Sequence, residues 1–406
     1  MTIDVIAQEY VKLSLLIGQH HESYIDAYYG PVEWRPTASA LPLTSLIKQA
    51  KSLSRQLQLC NKDLEPSAKQ RCNFLQIQLD AAEFFISHLL DKTQKSTAFD
   101  VEAKGLYDVR SPEVELTKLA QVLTQLDKLL PGEGSLNYRL EQFNQQFVIP
   151  EDKLECVFKA AIDESRARTK QHLSLPDNEN FTIEYVTDKV WSGYNWYKGD
   201  NYSLIQINTD FPIYIDRAID LASHEGYPGH HVFNSQMEQH LVKGKGWLEY
   251  CVYPLFSPMS LLAEGSANYG IEVCFPYEER IAFERDVLFG LAGLDTTQVE
   301  RYYQVQALVQ QLSYAGNYVA KHYLDGDIDK SQAVELLMQY SLTTREKSLQ
   351  RIAFIEANRS YVINYNLGQD LVKNYIEAKA GKDNNKRWQV FSQLLAFPKT
   401  ASMMQN

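Results

Sequence analysis

The chain has 406 residues, 45% of them hydrophobic, so it can bury a large core as one large domain or as two or three average ones. Its 40 lysines and arginines against 51 aspartates and glutamates give a formal net charge of -11. This negative balance argues against nucleic acid or an anionic membrane as the main partner, and it favours a peptide or another small molecule as substrate. Composition gives no indication of the oligomeric state.

The beginning of the chain predicts no secretory signal, because acidic residues occur early and no basic segment precedes an apolar one. No apolar run approaches the roughly 20 residues that a membrane span requires. The 5 cysteines are scattered and form no Cys-x-x-Cys pair, which indicates neither a disulfide framework nor a thiolate metal site. We therefore expect a soluble protein of the reducing cytoplasm.

The first part of the chain shows the apolar periodicity of amphipathic helices. Helices are predicted over residues 6–27, 43–90 with a break near 64–67, 112–130 and 151–173. Residues 1–175 are thus predicted to form an N-terminal helical region.

A stretch rich in β-branched and aromatic residues follows. Strands are predicted over residues 181–187, 191–197 and 202–208, with a hairpin turn at 198–201. The helical pattern then returns from residue 211, including 257–271, 299–324, 330–340, 341–357 and 388–395. We predict a mostly α fold with a small antiparallel sheet, in which residues 176–406 form the catalytic region and continue the first region as one structural unit.

The segment His224-Glu-Gly-Tyr-Pro-Gly-His-His231 places three imidazoles and a carboxylate within 8 residues, a set typical of hydrolytic zinc sites. A metalloprotease helix normally reads His-Glu-x-x-His, but here the fourth residue after His224 is Pro228. On a regular helix His230 would lie roughly 9 Å along the axis from His224 and on nearly the opposite face. A regular helix therefore cannot bring these two imidazoles to one metal ion.

The proline itself indicates how the helix can change. The ring of Pro228 clashes with the carbonyl of His224, and proline lacks the N–H that would bond to it, so the helix must kink or bulge. With Gly229 beside it to adopt unusual dihedral angles, two residues can loop out and return His230 to the position of a normal second ligand. We predict His224 and His230 as ligands, with His231 as the alternative to His230.

Carboxylates complete the predicted site. Glu225 points to a different side from His224 and has the usual geometry of a general base. Glu264 is the candidate third ligand, because it follows apolar residues in a helix that begins at 257–258, where a buried carboxylate needs a cation. The small residues at 265–267 would let a neighbouring helix come close. Asp220 could orient a ligand imidazole, although an ordinary surface carboxylate is favoured for it.

These motifs resemble a known family. The pattern His-Glu-x-x-Pro-Gly-His-His, followed by Ala-Glu-Gly-x-Ala-x-Tyr at 263–269, resembles the domain-of-unknown-function family 885, which is grouped with the gluzincin-like zinc peptidases. Residues 24–31 and 312–316 also resemble patterns of that family, so the resemblance covers most of the chain. Taq-type carboxypeptidases and thimet-type oligopeptidases are similar in outline.

The resemblance implies a zincin-like helical shell around a catalytic helix. It implies Zn²⁺ bound by His224, His230 and Glu264, with Glu225 activating water. In gluzincins the substrate lies against a short sheet edge, for which Tyr202–Asn208 is the candidate. The candidates for an oxyanion donor are Tyr314, Arg359, Tyr361 and Tyr365, with Tyr314 first because it lies in a family-like segment.

The predicted function is that of a zinc-dependent hydrolase, a metallopeptidase that cleaves short peptides with Glu225 as general base. Short peptides are favoured because a helical shell restricts access. Two alternatives remain: a catalytically inactive metal-binding helical protein, and a zinc hydrolase of a non-peptide amide or ester. The sequence does not distinguish endopeptidase from exopeptidase activity.

Overall fold

A computed structural model of the chain describes residues 1–60, 65–91, 97–189 and 191–405. Helices dominate it, which confirms the predicted mostly α fold. The helices are α1 Ile3–Gly18, α2 Leu43–Cys60, α3 Pro66–Leu90, α4 Phe99–Tyr107, α5 Leu116–Leu129, α6 Leu136–Asn144, α7 Leu154–His172, α8 Asp216–Leu221, α9 His230–Met237, α10 Pro258–Cys274, α11 Tyr277–Phe283, α12 Phe289–Ala292, α13 Val299–Gln310, α14 Ala315–Asp325, α15 Lys330–Tyr340, α16 Arg345–Asn358, α17 Ile363–Ala380, α18 Asn384–Ala396 and α19 Ala401–Gln405. The strands are β1 Ile25–Tyr28, β2 Asn180–Val186, β3 Gly193–Gly199, β4 Tyr202–Asn208 and β5 Val252–Pro254. Within the described ranges, no helix combines the length and apolarity needed to cross a bilayer.

Some predicted helix boundaries are wrong because distant pairing overrides the local pattern. The helix predicted over 6–27 ends at Gly18, and the end of the predicted segment belongs to β1, which pairs antiparallel with β5. The sequence near residue 25 cannot reveal a partner more than 200 positions away. The predicted break at 64–67 begins at Leu64, which lies outside the described residues, and α3 starts at Pro66.

The small sheet predicted before the motif is present, with strand order β2-β4-β3. Strands β3 and β4 form the predicted antiparallel hairpin, whose turn residues Asp200 and Asn201 both have positive φ. Strand β2 pairs in parallel with β4 instead of with its chain neighbour β3, so the sheet is mixed. Consequently β4 lies in the centre of this sheet and β3 lies at one edge.

Two clusters of buried apolar side chains form the core, and helix α10 contributes to both. Leu261 belongs to the cluster built largely from α1–α4 and α14–α17, whereas Leu262 and Ala263 belong to the cluster around the sheet and the motif segment. Both clusters contain residues from either side of position 175, and the division of the chain into two regions there stays a prediction. Glu264, the next residue along α10, therefore lies where the two clusters meet.

Helices α10 and α17 pack backbone against backbone. A Cβ atom added at Gly265 would lie 2.3 Å from the carbonyl oxygen of Gly368, and one added at Gly368 would lie 2.6 Å from the carbonyl oxygen of Leu261. Backbone atoms cannot move aside as a flexible side chain can, so both positions require glycine. This contact fixes how closely α17 approaches Glu264.

We predict that Gly265→Ala lowers the free energy of unfolding by about 1–3 kcal/mol, because the added methyl group forces two backbones apart. Gly290→Ala is the matched control, since Gly290 lies in helix α12 with open space around it. The control should be neutral or stabilising by about 0.5–1 kcal/mol, because alanine favours the helix more than glycine does. Urea denaturation measures both variants. Equal stability of the two variants would contradict the close packing of α10 and α17.

Candidate metal centre

The predicted break in the motif helix has a defined geometry. After α8 the chain forms a wide turn, Ala222–Gly226, in which the Tyr227 N–H donates to the Ala222 carbonyl five residues back (3.0 Å). The Gly229 N–H then donates to the Ser223 carbonyl six residues back (2.9 Å), and α9 begins at the next residue. An α-helical hydrogen bond joins residues that are four positions apart, whereas the bond from Gly229 to Ser223 joins residues six positions apart. The helix therefore accommodates two extra residues here.

Gly229 is required by this geometry. A Cβ atom there would lie 1.9 Å from the His224 carbonyl oxygen and 2.4 Å from the Ser223 carbonyl oxygen. The preceding Tyr227–Pro228 peptide bond is cis. No side chain could replace glycine at position 229 without moving the backbone that carries His224.

The insertion brings three ligand atoms together. The Nε2 atoms of His224 and His230 lie 3.1 Å apart, and Glu264 Oε2 lies 3.4 Å from the first and 3.8 Å from the second. Two ligands bound tetrahedrally at the usual zinc distances of about 2.1 Å are about 3.4 Å from one another. The three atoms are therefore spaced as a tetrahedral zinc ion needs them.

The second observation that fits a cation is an unsatisfied oxygen on Glu264. Its carboxylate is buried, and Oε1 accepts a hydrogen bond from the Tyr361 hydroxyl (2.7 Å). Oε2 has no hydrogen-bond partner in the part of the chain that the structure describes. Burial raises the pKa of Glu264, but the imidazoles of His224 and His230 outweigh it and hold this pKa well below its usual range. An ionised, buried carboxylate oxygen without a donor suits a metal ion.

His231, the alternative ligand, points elsewhere. Its Nδ1 lies 2.8 Å from Ser203 Oγ on β4, and its Nε2 lies 3.4 Å from Glu179 Oε2. The Tyr227 hydroxyl donates to the same Glu179 oxygen (2.5 Å). His231 is thus buried behind the motif segment, where it connects that segment to the sheet, and it does not join the other two imidazoles.

Asn268 orients the first ligand. Its Oδ1 lies 2.9 Å from His224 Nδ1, while its side-chain N–H donates to the Tyr365 carbonyl (3.0 Å). An amide oxygen can only accept, so a hydrogen bond donated by His224 Nδ1 would leave the Nε2 lone pair directed to the candidate metal position. Sequence reasoning missed Asn268, although it lies four residues after Glu264 and hence on the same face of α10.

Asp220, which we considered for that orienting role, is used differently. Its carboxylate pairs with Arg217 (3.2 Å) and with the largely buried Arg280 (2.9 Å). It therefore anchors the start of the motif helix to α11 and does not contact a ligand imidazole.

The turn before α17 places Tyr361 against Glu264. Glu102, buried on α4, accepts hydrogen bonds from Arg359 Nε (2.6 Å), from the Ser360 backbone N–H (3.1 Å) and from Ser360 Oγ (2.6 Å). Arg359 has a φ of 51°, which a non-glycine residue adopts only at some cost. The guanidinium of Arg359, a predicted oxyanion donor, is thus occupied in holding the turn that presents Tyr361.

The other two candidate oxyanion donors have different surroundings. The ring of Tyr365 lies 5.8 Å from that of Tyr361, and Tyr365 interacts electrostatically with Glu264 and Glu225. Tyr314 donates its hydroxyl to Asp370 on α17 (2.6 Å). Tyr365 is therefore near the three candidate ligand atoms, whereas the Tyr314 hydroxyl is hydrogen-bonded to a carboxylate on α17.

Glu225 is buried beside the candidate ligands and does not belong to their cluster. Its side chain packs against Gly193 of β3, where an added Cβ atom would lie 2.9 Å from Oε1. The Asn195 side chain donates to the backbone carbonyl of Glu225 (2.6 Å), which ties this turn to the sheet. Burial raises the pKa of Glu225 to about 7; His230 opposes the shift and Glu264 adds to it. A carboxyl group with that pKa can both accept and release a proton near neutral pH.

A hydrogen-bonded pair that we did not predict lies within electrostatic range of Glu264. Tyr194 of β3 donates to Asp26 of β1, and both interact electrostatically with Glu264. Burial raises the pKa of Asp26 to about 6, against the effects of Tyr194 and His230. The only sequence signal was that Asp26 belongs to the family-like segment at 24–31.

We predict that the wild-type protein binds about one zinc ion per chain and that His230→Ala weakens zinc binding by more than the roughly 10- to 100-fold typical of losing a second-layer partner. His240→Ala is the control, because His240 lies outside the cluster and contacts Gln236. Metal analysis and chelator competition measure both variants. Wild-type affinity in a folded His230→Ala variant would exclude His230 as a ligand.

Comparison with known proteins gives a fold likeness. No protein-family model matches the chain, and no curated protein matches it significantly, so the resemblance to family 885 stays a prediction. A putative lipoprotein from Colwellia psychrerythraea is similar in structure, with 16% sequence identity and a TM-score of 0.55 over 90% of this chain and 69% of that one. An M32 carboxypeptidase from Deinococcus radiodurans R1 has 11% identity and a TM-score of 0.48 over 97% of this chain and 90% of that one. At such identity, the likeness to the first structure shows a shared fold alone.

Proposed function

We propose that this chain is a zinc-dependent hydrolase, and more specifically a metallopeptidase that cleaves short peptides. The observation that carries the proposal is the convergence of His224, His230 and Glu264, whose Oε2 lacks a hydrogen-bond donor among the described residues. Three protein ligands are the number found in catalytic zinc sites, whereas structural sites are usually closed by four. This count favours an enzyme over an inactive metal-binding protein.

His224, His230 and Glu264 would hold the ion. Zinc bound by three such ligands supplies a Lewis acid that polarises a carbonyl group and makes water more acidic. Glu225 supplies the base: it is buried next to His224, and among the described residues no hydrogen bond occupies its carboxylate. In this role it takes a proton from the attacking water and transfers it to the leaving amine.

Tyr365 is the proposed donor to the oxyanion that forms during the attack. Arg359 and Tyr314 donate to carboxylates elsewhere, and Tyr361 donates to the ligand Glu264. The Tyr365 hydroxyl donates to no carboxylate in the described part of the chain, yet it interacts electrostatically with both Glu264 and Glu225. A donor near both groups can stabilise negative charge that develops between them.

The proposed substrate strand is β3, because the prediction for Tyr202–Asn208 is wrong. That strand, β4, pairs on both of its edges, with β2 and β3, and cannot accept a third neighbour. Strand β3 lies at the edge of this sheet and carries Gly193 against Glu225. An extended peptide added to β3 would pass next to the base.

Access to the site is narrow. The side chains of His224 and His230 are only 14% and 12% exposed. A folded protein cannot reach atoms that are enclosed to this extent, whereas a short extended peptide can. We therefore propose short peptides as the substrate class.

We predict that Glu225→Gln lowers kcat/KM for peptide hydrolysis by about 100-fold or more while the protein still binds zinc, because glutamine keeps the shape and cannot take a proton. Glu278→Gln, at an exposed position on α11, is the control and should match the wild type. A library of short peptides with mass-spectrometric detection gives the rates, and metal analysis gives the zinc content.

Full activity of the zinc-loaded Glu225→Gln variant would show that another group acts as base. Hydrolysis of simple esters or non-peptide amides, with no peptide cleaved, would instead assign the site to a different substrate class.

A further inference from the structure

Arg351 on α16 differs from the other arginines with largely buried side chains. Those arginines all pair with carboxylates: Arg71 with Glu249, Arg139 with Asp127, Arg168 with Glu164, Arg280 with Asp220 and Arg359 with Glu102. The half-buried Arg351 has no hydrogen bond and no ion pair to any residue that the structure describes. Burial lowers the pKa of its guanidinium, because removal from water disfavours the charged form.

The guanidinium lies close to the proposed oxyanion donor. It stacks over the ring of Phe354 at 5.1 Å from the centroid, and that ring lies 6.3 Å from the ring of Tyr365. Burial raises the pKa of Tyr365, and Arg351 is near enough to offset part of that rise. Tyr365 also interacts electrostatically with Glu264 and Glu225, so Arg351 and these two carboxyl groups have Tyr365 as a common neighbour.

The backbone next to the guanidinium adds positive potential. Arg351 Nη2 would lie 3.6 Å from a Cβ atom at Gly316, in the first turn of α14. That helix has no side-chain cap, and the N–H groups of Gly316 and Asn317 have no acceptor among the described residues. The field of this helix start has the same sign as the guanidinium, so the helix does not neutralise it.

An unpaired cation that is partly removed from water costs free energy, which a bound anion would offset. We propose that Arg351 binds a carboxylate of the substrate, and that this group is the C-terminal carboxylate of the peptide. The planar guanidinium matches a carboxylate with two parallel hydrogen bonds, and none of its N–H groups is hydrogen-bonded within the described residues.

This inference rests on the proposed peptidase function and makes it more specific. Because Arg351, Glu264 and Glu225 have Tyr365 as a common neighbour, a C-terminal carboxylate held by Arg351 would place a bond near the end of the peptide at the candidate metal centre. The chain would then act as a carboxypeptidase. An acidic side chain has the same chemistry, so the experiment must distinguish the two sources.

The test measures binding in the zinc-loaded Glu225→Gln variant, so that no substrate is turned over. Isothermal titration calorimetry compares three peptides: an N-acetylated apolar tripeptide with a free C-terminus, its C-terminal amide, and an amidated tripeptide that contains glutamate. We expect the free acid to bind about 10- to 100-fold more tightly than the apolar amide, as for a hydrogen bond to a charged group. Adding Arg351→Gln should remove that difference.

Arg345→Gln is the control, because Arg345 lies on the same helix, is 55% exposed and pairs with Glu335. It should keep the preference for the free acid. The melting temperature separates binding from a structural role: since Arg351 has no hydrogen-bond or ion-pair partner among the described residues and contacts only the ring of Phe354 as a cation, Arg351→Gln should leave the melting temperature nearly unchanged.

Each outcome is decisive. Tight binding of the glutamate-containing amide, lost with Arg351→Gln, would keep the carboxylate site and assign it to an acidic side chain, which overturns the assignment to the C-terminus. Equal binding of acid and amide, or no binding of any peptide, would overturn the proposal. If Arg351-dependent binding is found but the wild type cleaves no peptide, the proposed function fails and the carboxylate site stands.

Discussion

Two backbone hydrogen bonds, from Tyr227 to Ala222 and from Gly229 to Ser223, widen the motif helix by two residues. Without them His230 would lie on the far side of the helix from His224, and no metal ion could contact both. The widening depends on glycine at position 229, where the chain passes against the His224 carbonyl. Behind it, His231 bridges Ser203 and Glu179 and ties the segment to the sheet. The candidate metal centre thus depends on a local departure from helix geometry that the surrounding core holds in place.

The position of Glu264, the candidate third ligand, depends on a separate constraint, the close packing of α10 and α17. Glycines on both helices let the backbones touch, and this brings the first residues of α17 beside Glu264. Glu102 on α4 holds the turn that delivers Tyr361 to the carboxylate of Glu264. The N-terminal helices therefore contribute to the candidate site through the core cluster built largely from α1–α4 and α14–α17, although none of them supplies a candidate ligand.

Much of the candidate site could be predicted because its elements are local in sequence. The clash between Pro228 and the His224 carbonyl is a rule of covalent geometry, and it correctly required a break. Long-range features could not be predicted in this way: the pairing of β1 with β5, the parallel addition of β2 to β4, and the ion pair of Arg359 with Glu102 join segments far apart. The unpaired state of Arg351 belongs to the same class, because the sequence cannot show which cations lack a partner.

The most direct test of the metal centre is anomalous diffraction at the zinc absorption edge, measured on crystals of the zinc-loaded protein. We predict a single strong peak about 2.0–2.2 Å from His224 Nε2, His230 Nε2 and Glu264 Oε2, with a non-protein ligand in the fourth position. Absence of a peak at these three atoms, or a peak beside His231 and Glu179 instead, would contradict the assignment of the metal ligands and the hydrolase function proposed from it.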